Sequence, residues 1–325
     1  MSRRTGPTAS QYLRQTFVFL RRIIGKRALW VAFALMCLVF GLLEPRFLSI
    51  DNIWNVLRQT APLLVTSIGQ AVVIIGGGFD LSVGSIAAVS GIVMVYGVWS
   101  LGTIPGIMLA LGSGVGIGLI NGFSIARWNL NPFILTLGTM MLFRGLAYFV
   151  TGGLSLFGNI PPGMLILGNG HIGPVPIPVI IGIIGVVILA VLLRRTTLGR
   201  HSYAVGGNRE AARLAGIDTS AVTIKLYAIS GFFAALTGVI LSARLGVATP
   251  TLGGDLNLES IAAVVIGGVS ISGGEGTAMG VLLGTLILGI VRNGLNLYRV
   301  SMFIQMMITG VIIATAVLVD RLRSQ

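Results

Sequence analysis

Long apolar stretches separated by short polar breaks fill most of this chain. Segments that are apolar all round run over Ala28–Leu43, Ala61–Gly76, Gly84–Leu101, Pro105–Ile125, Pro132–Thr151, Pro178–Leu193, Leu226–Ala243, Ser260–Ser272, Thr277–Leu297 and Phe303–Val319. Several approach the roughly 20 residues that a helix needs to cross a bilayer. Strands of a membrane barrel would instead alternate apolar and polar positions. The pattern therefore predicts an all-α polytopic membrane protein with about ten spanning helices. The eighth segment is short and its glycines blur its limits, so the count runs from about nine to eleven. The longest polar island, Arg194–Lys225, holds a short helix marked at both ends. Asn208 is a good N-cap, and Glu210 lies in the first turn, where a carboxylate suits the helix dipole. Gly216 stands where a glycine ends a helix. A helix of about two turns is not stable alone in water. It is expected to dock against something, and a loop presents it to a soluble partner.

Composition strengthens the membrane reading. Mean hydropathy is +0.95 and 10% of residues are charged, against about 25% in soluble domains. The formal net charge of +13 raises nucleic acid as a partner, but its distribution argues against one. Arg3, Arg4, Arg14, Arg21, Arg22, Lys26 and Arg27 precede the first span, others crowd Arg194–Lys225, and Arg321 and Arg323 close the chain. Basic residues collect on the cytoplasmic side of membrane proteins. The stretch Gly152–Pro176 carries no charge apart from His171 and is expected outside. The chain then reads as a basic cytoplasmic segment, 1–27, followed by one transmembrane domain, 28–325. Its loop 194–225 is cytoplasmic, its loop 152–176 periplasmic, and both termini lie inside. Within the first segment, Gln11–Arg27 is either an amphipathic helix on the inner membrane surface or simply a basic flank. Ala28–Leu43 runs into Glu44-Pro45-Arg46 without a small-residue cleavage site and reads as a retained first span. The single cysteine, Cys37, lies in that span as a small apolar packing residue.

No phosphate loop, metal-ligand cluster, nucleophile elbow or pair of carboxylates on one helix face is present. Transport energy, if spent, must come from an ion or another polypeptide, and no cofactor is expected on this chain. Glycine is abundant, 47 of 325 residues. Gly114, Gly118 and Gly122 are spaced by four, as are Gly276, Gly280 and Gly284, a pattern that lets helix backbones approach in lipid. Two other glycine clusters interrupt apolar runs with polar residues: Gly77-Gly78-Phe79-Asp80-Leu81-Ser82-Val83-Gly84 and Gly267-Gly268-Val269-Ser270-Ile271-Ser272-Gly273-Gly274. At an offset of 190 positions they share Gly77/Gly267, Gly78/Gly268, Ser82/Ser272 and Gly84/Gly274. Paired interruptions of this kind point to a transporter built from internal repeats. Tight turns at the membrane surface are the other reading. Polar residues at membrane depth are candidates for a translocation path: Asp80, Ser82, Asn121, Arg144, Ser270, Asn293 and Gln305. Asp80 and Arg144 are a possible ion pair. For each residue, structural service such as capping a half-helix stands beside the functional reading.

These motifs, in order, resemble the permease subunits of bacterial ATP-binding-cassette sugar importers, in the ribose/xylose/arabinose branch. G-G-F-D-L-S-V-G at Gly77–Gly84 is similar to that branch's G-G-[IV]-D-L-S-V-G, with Phe79 at the variable site. N-P-F-I-L-T-L-G-T-M at Asn131–Met140 with Arg144-Gly145-Leu146-Ala147, G-G-V-S-I-S-G-G-E-G-T at Gly267–Thr277, and Asn293-Gly294-Leu295-Asn296-Leu297 match further blocks. The resemblance covers the chain after about Glu44. It implies that Asn208, Arg209, Glu210, Ala211, Ala212 and Gly216 form a coupling loop seated in a groove of a separate ATPase subunit, which binds the Mg-ATP. It also implies a periplasmic sugar-binding protein, a second permease copy or sister permease, a bacterial inner membrane and transport by alternating access. An ion-coupled secondary transporter and an energy-free channel or scaffold are the alternative classes. The secondary transporter would not need the Glu210–Gly216 helix.

Overall fold

A computed structural model describes residues 29–157 and 161–323. The basic segment 1–27, with the amphipathic reading of Gln11–Arg27, lies outside them. Every apolar segment of the sequence forms a helix. In chain order the helices are α1 Leu29–Leu43, α2 Ile50–Ile75, α3 Val83–Leu101, α4 Thr103–Trp128, α5 Pro132–Thr151, α6 Pro162–Asn169, α7 Ile177–Arg195, α8 Thr197–Gly207, α9 Arg209–Leu214, α10 Thr219–Leu245, α11 Leu256–Ile266, α12 Ala278–Leu297 and α13 Met302–Arg323. Among the described residues seven of these (α2, α3, α4, α5, α7, α10 and α12) are long and apolar enough to cross a membrane. The apolar helices α1 and α11 are shorter.

Two helices depart from the expected limits for local reasons. α2 starts at Ile50, not Ala61. The Ser49 hydroxyl accepts the Asn52 N–H, and Asp51 sits in the first turn. Asp51, Asn52, Asn55, Arg58 and Gln59 interrupt the apolar residues there and hide these turns from a search for apolar runs. α11 stops at Ile266, not Ser272, because Gly268 adopts φ +82°. The Gly268 and Val269 N–H groups fold back onto the Val265 and Val264 carbonyls, which satisfies the last turn of the helix.

α10 is the centre of the bundle, packed against α2, α3 and α4. Helices do not gain a hydrophobic driving force inside lipid, so close backbone packing has to hold them. Small residues supply it. Side chains on Gly114, Gly118 and Gly122 of α4 would run into the α10 backbone at Gly231, Tyr227 and Ile224. Gly238 of α10 is seated on Ala87 of α3. Thr66 of α2 donates to Thr237 of α10 at 2.9 Å. Gly280 and Gly284 of α12 do the same service against Gly267, just past the end of α11, and Ala263 within it. Both glycine stripes are thus packing surfaces, although Gly276 lies just ahead of α12.

The two long loops lie at opposite ends of α10, as the charge pattern requires. In 152–176, Gly168 and Asn169 of α6 sit on the α10 C-terminus, where the Asn169 amide donates to the Ala243 and Arg244 carbonyls. The short strands β1 Leu156–Phe157 and β4 Val247–Ala248 pair antiparallel at that end, and β2 His171–Ile172 pairs with β3 Val175–Pro176. The helices α8 and α9 lie at the other end, directly before Thr219.

After Gly246 the chain turns back into the bundle. Gly253 rests against Gly84 at the start of α3, deeper along α10 than Gly238, which meets Ala87. At about 1.5 Å per helical residue, Thr249–Asp255 re-enters by about 10 Å. The eighth segment is therefore a discontinuous span: irregular backbone first, then α11. Such backbone is tolerated at depth only where protein or a wet cavity surrounds it.

Candidate functional site

The capped helix anticipated in the polar island is present as α9. Asn208 accepts the Ala211 N–H at 2.9 Å. Gly216 adopts φ +82°, and Gly216 and Ile217 return hydrogen bonds to Arg213 and Ala212. Ala212 is buried in the main apolar core and pins the helix to the bundle. Arg209, Glu210, Ala211 and Arg213 are exposed, and so is Leu214, at 78%. Leu214 escaped the sequence reading because one leucine in a polar loop carries no pattern. Glu210 and Arg213 form an exposed ion pair at 2.7 Å. Arg213's hydrogen bond and charge hold the Glu210 carboxyl below its ordinary range, and Glu210 raises the Arg213 guanidinium in return. An exposed pair adds little stability. Its effect is to present a fixed, charged surface with one apolar side chain.

Directly behind α9 three backbones meet. The end of α8 at Gly206, the α2–α3 link at Gly77, and the α11–α12 turn at Gly273 and Gly274 are in contact. The Gly274 N–H donates to the Ile75 carbonyl at 2.9 Å, and the Tyr203 hydroxyl donates to the Gly276 carbonyl at 2.7 Å. A side chain on Gly206 would overlap the Ile75 carbonyl oxygen. The two glycine-interrupted segments are therefore brought together, and the end of α8 is clamped to both. Their structural register differs from the sequence one. Gly77 and Gly268 both carry positive φ and make the same pair of returning hydrogen bonds, so the matching offset is 191 positions. Gly267–Gly274 is a partly exposed turn between α11 and α12. Gly77 is exposed too, whereas Asp80–Gly84 is buried. Gly84 is tight against the Gly253 carbonyl, and Gly78 against the Tyr227 hydroxyl.

Asp80, Ser82 and Asn121 converge with Ser230, all fully buried. Asp80 accepts the Ser82 N–H at 3.0 Å, the Ser82 hydroxyl at 2.5 Å and the Ser230 hydroxyl at 2.8 Å, and Asn121 donates to Ser82 at 2.9 Å. Tyr227 donates to the Phe79 carbonyl at 2.8 Å. This network ties the start of α3 to α4 and α10 and places a carboxylate at a helix N-terminus. Asp80 does not pair with Arg144. Arg144 donates instead to the carbonyls of Pro250 and Leu252 on the re-entrant segment. A hydroxyl cage satisfies the carboxylate and a fork of carbonyls satisfies the guanidinium, so neither needs the other.

The remaining candidates are dispersed. Asn293 exchanges amide hydrogen bonds with Asn52 at 2.9 Å each way, joining α12 to α2. Gln305 donates to Asn296 and to the Val300 carbonyl beyond the end of α12. Ser270 bonds Ser272 within its turn. Arg144 lines an open hollow, of about 520 Å³, with Met140, Met141, Tyr148, Thr251 and Asn257. One pair went unnoticed in the sequence. The buried Glu259 of α11 bridges to Arg292 of α12. Charges in two apolar runs were the available signal.

Long apolar helices enclosing re-entrant, irregular backbone define a polytopic membrane protein of transporter type. Comparison makes this specific: the chain belongs to the family described as the branched-chain amino acid transport system permease component, whose model matches residues 52–317. It is 41% identical over 305 residues to the ribose import permease protein RbsC of Bacillus subtilis (strain 168), covering 93% of this chain and 94% of that protein. It is 39% identical over 295 residues to RbsC of Escherichia coli (strain K12), covering 89% and 92%. The D-allose transport system permease protein AlsC of Escherichia coli (strain K12) is 37% identical over 297 residues, covering 90% of each chain. No solved structure matches the chain.

Proposed function

We infer that this chain is the membrane-spanning subunit of an ATP-driven monosaccharide importer. The observation that carries the reading is α9, a capped helix with a charged, outward face, clamped by Gly206 to both glycine-interrupted segments. An ion-coupled transporter has no use for such a helix. Likeness over most of the chain to permeases named for ribose and allose supplies the substrate class.

On this reading α9 docks in a groove of a separate ATPase, which binds and hydrolyses Mg-ATP. Arg209 and Arg213 meet acidic groups there, and Leu214 enters an apolar recess. A periplasmic sugar-binding protein delivers substrate at the opposite end, near α6 and the β1–β4 pair. A second permease, either a copy or a sister chain, completes the path. Loop 194–225 and both termini face the cytoplasm of a bacterial inner membrane, and loop 152–176 faces the periplasm. The test is reconstitution. The chain with a cognate ATPase and binding protein should accumulate radiolabelled ribose or allose in liposomes only when ATP is present. Uptake driven by a proton or sodium gradient without ATP would refute it.

A further inference from the structure

The hollow at Arg144 is unlike the rest of the lipid-facing surface. Among the seven long helices of the described residues, α5, which carries Arg144, is the least enclosed, with 11% of its apolar window buried. Beside it lies the irregular backbone of Thr249–Asp255, whose Pro250 and Leu252 carbonyls Arg144 holds. The other walls mix Thr251, Asn257 and the Tyr148 side chain with the apolar Met140 and Met141. By contrast, the hollow between α3, α4 and α5 is apolar apart from Tyr96 and Ser100, and the one between α1, α2 and α12 is wholly apolar. Hydrocarbon cannot cover a guanidinium, polar side chains and non-helical backbone. Water must.

The electrostatics are one-sided. Among the described residues Arg144 has no carboxylate within ion-pair distance, and no acid lines the hollow. The nearby carboxylates face elsewhere: Asp80 lies in its hydroxyl cage, Glu259 bridges to Arg292, and the exposed Asp255, which precedes α11, also acts on Arg292. The volume, about 520 Å³, lies in the range of small-molecule pockets.

We propose that this hollow is the permease's wet half of the solute passage, shaped for a neutral polyol, and that Arg144 holds an unneutralised positive charge on it that turns back cations and protons. A pore-lining arginine is a known means of excluding cations. The solute class rests on the sugar-importer reading above. A neutral sugar is indifferent to the charge and finds hydroxyl and amide partners on Thr251, Tyr148 and Asn257, with the methionines against its apolar face. A leak of ions through an open path would otherwise dissipate the membrane potential in each cycle.

The chain's single cysteine makes the test direct. In a Cys37→Ser background, Met141→Cys and Asn257→Cys are compared with Leu142→Cys, which is exposed at 64% and outside the hollow. The assembled transporter in lipid nanodiscs is treated with anionic sulfonatoethyl and cationic trimethylammonioethyl methanethiosulfonates. Cysteines at 141 and 257 should react at least tenfold faster than at 142. At 257 the anion-to-cation rate ratio should exceed that of a simple thiol in water by about tenfold, from one unit charge several ångströms away. Adding Arg144→Gln should return the ratio to the simple-thiol value, while Arg144→Lys should keep it. If Arg144→Gln does not assemble, raising the salt to 1 M should collapse the ratio in the Arg144 protein instead. Labelling at 141 and 257 as slow as at 142, or a ratio indifferent to both charge removal and salt, overturns the proposal. Labelling requires neither ATP nor sugar. A wet, anion-favouring hollow that no sugar protects would therefore strike at the substrate reading and leave the charge barrier standing.

Discussion

Gly206→Ala adds one methyl group where three backbones meet. Built on the observed geometry, the new carbon overlaps the Ile75 carbonyl oxygen and lies 2.7 Å from the Gly274 nitrogen and 3.0 Å from the Ile75 carbonyl carbon. None of these is the tip of a flexible side chain. Either α8 moves away from α2, or the hydrogen bond from Gly274 to Ile75, 2.9 Å long, breaks. Overpacking of this kind costs about 1–3 kcal/mol, and a lost hydrogen bond about 1 kcal/mol. Alanine's better helix propensity offsets about 0.5–1 kcal/mol. The joint between α8 and the bundle is thus weakened by about 1–3 kcal/mol. If that joint carries the stroke, uptake falls about tenfold for each 1.4 kcal/mol. At the neighbouring Gly207 an added methyl group would meet nothing within 4 Å, and φ there is not positive, so Gly207→Ala is a matched control. Both variants are reconstituted with ATPase and binding protein at equal incorporation, and ATP-driven sugar uptake is measured beside basal ATP hydrolysis. The expected result is tenfold or greater loss of uptake in Gly206→Ala, with hydrolysis and assembly retained, and near-normal uptake in Gly207→Ala. Equal uptake in the two variants would refute the mechanical role of the junction.

Glu210→Lys should leave the chain inserted but abolish uptake, because it reverses charge at the first turn of α9 and removes the pairing with Arg213; normal transport with normal ATPase association would discredit the docking helix. Asp80→Ala strands the Ser82 N–H and the Ser230 hydroxyl in a buried site and should destabilise by about 2–4 kcal/mol; unchanged thermal stability of the purified protein would show that the network is not structural. A reporter fused after Arg209 should read as cytoplasmic and one inserted near Asn169 as periplasmic, and the opposite readout would invert the topology. Replacing Gly77 and Gly78 together by leucine should impair uptake far more than Gly138→Leu, which meets nothing within 4 Å. Gly91, in the middle of a span, is unsuitable as that control because its side chain would strike Ser242. Similar uptake in the double variant and Gly138→Leu would remove the close backbone contact at Gly77 and Gly78 from the mechanism.

The helices were legible from the chain because burial in lipid demands about 20 apolar residues whatever the tertiary contacts. The ends of α9 were legible because caps are local: Asn208 and Gly216 act within one turn of themselves. The glycine stripes likewise announced close packing, though not the partner. What folding decided is everything that depends on residues distant in sequence. Asp80 and Arg144 carry opposite charges, yet each found nearer partners, a hydroxyl cage and two carbonyls, which no spacing in the chain records. The repeat offset moved from 190 to 191 because positive φ and returning hydrogen bonds, not residue identity, define equivalent positions. The re-entrant segment Thr249–Asp255 was invisible. Its composition is that of an ordinary loop, and only Gly84, Arg144 and the backbone they hold draw it back to bundle depth. Gly206 is the clearest case. In the sequence it is one of a pair of adjacent glycines; in the fold it is the one whose hydrogen atom faces the Ile75 carbonyl, because contact between backbones is a property of the packed bundle alone.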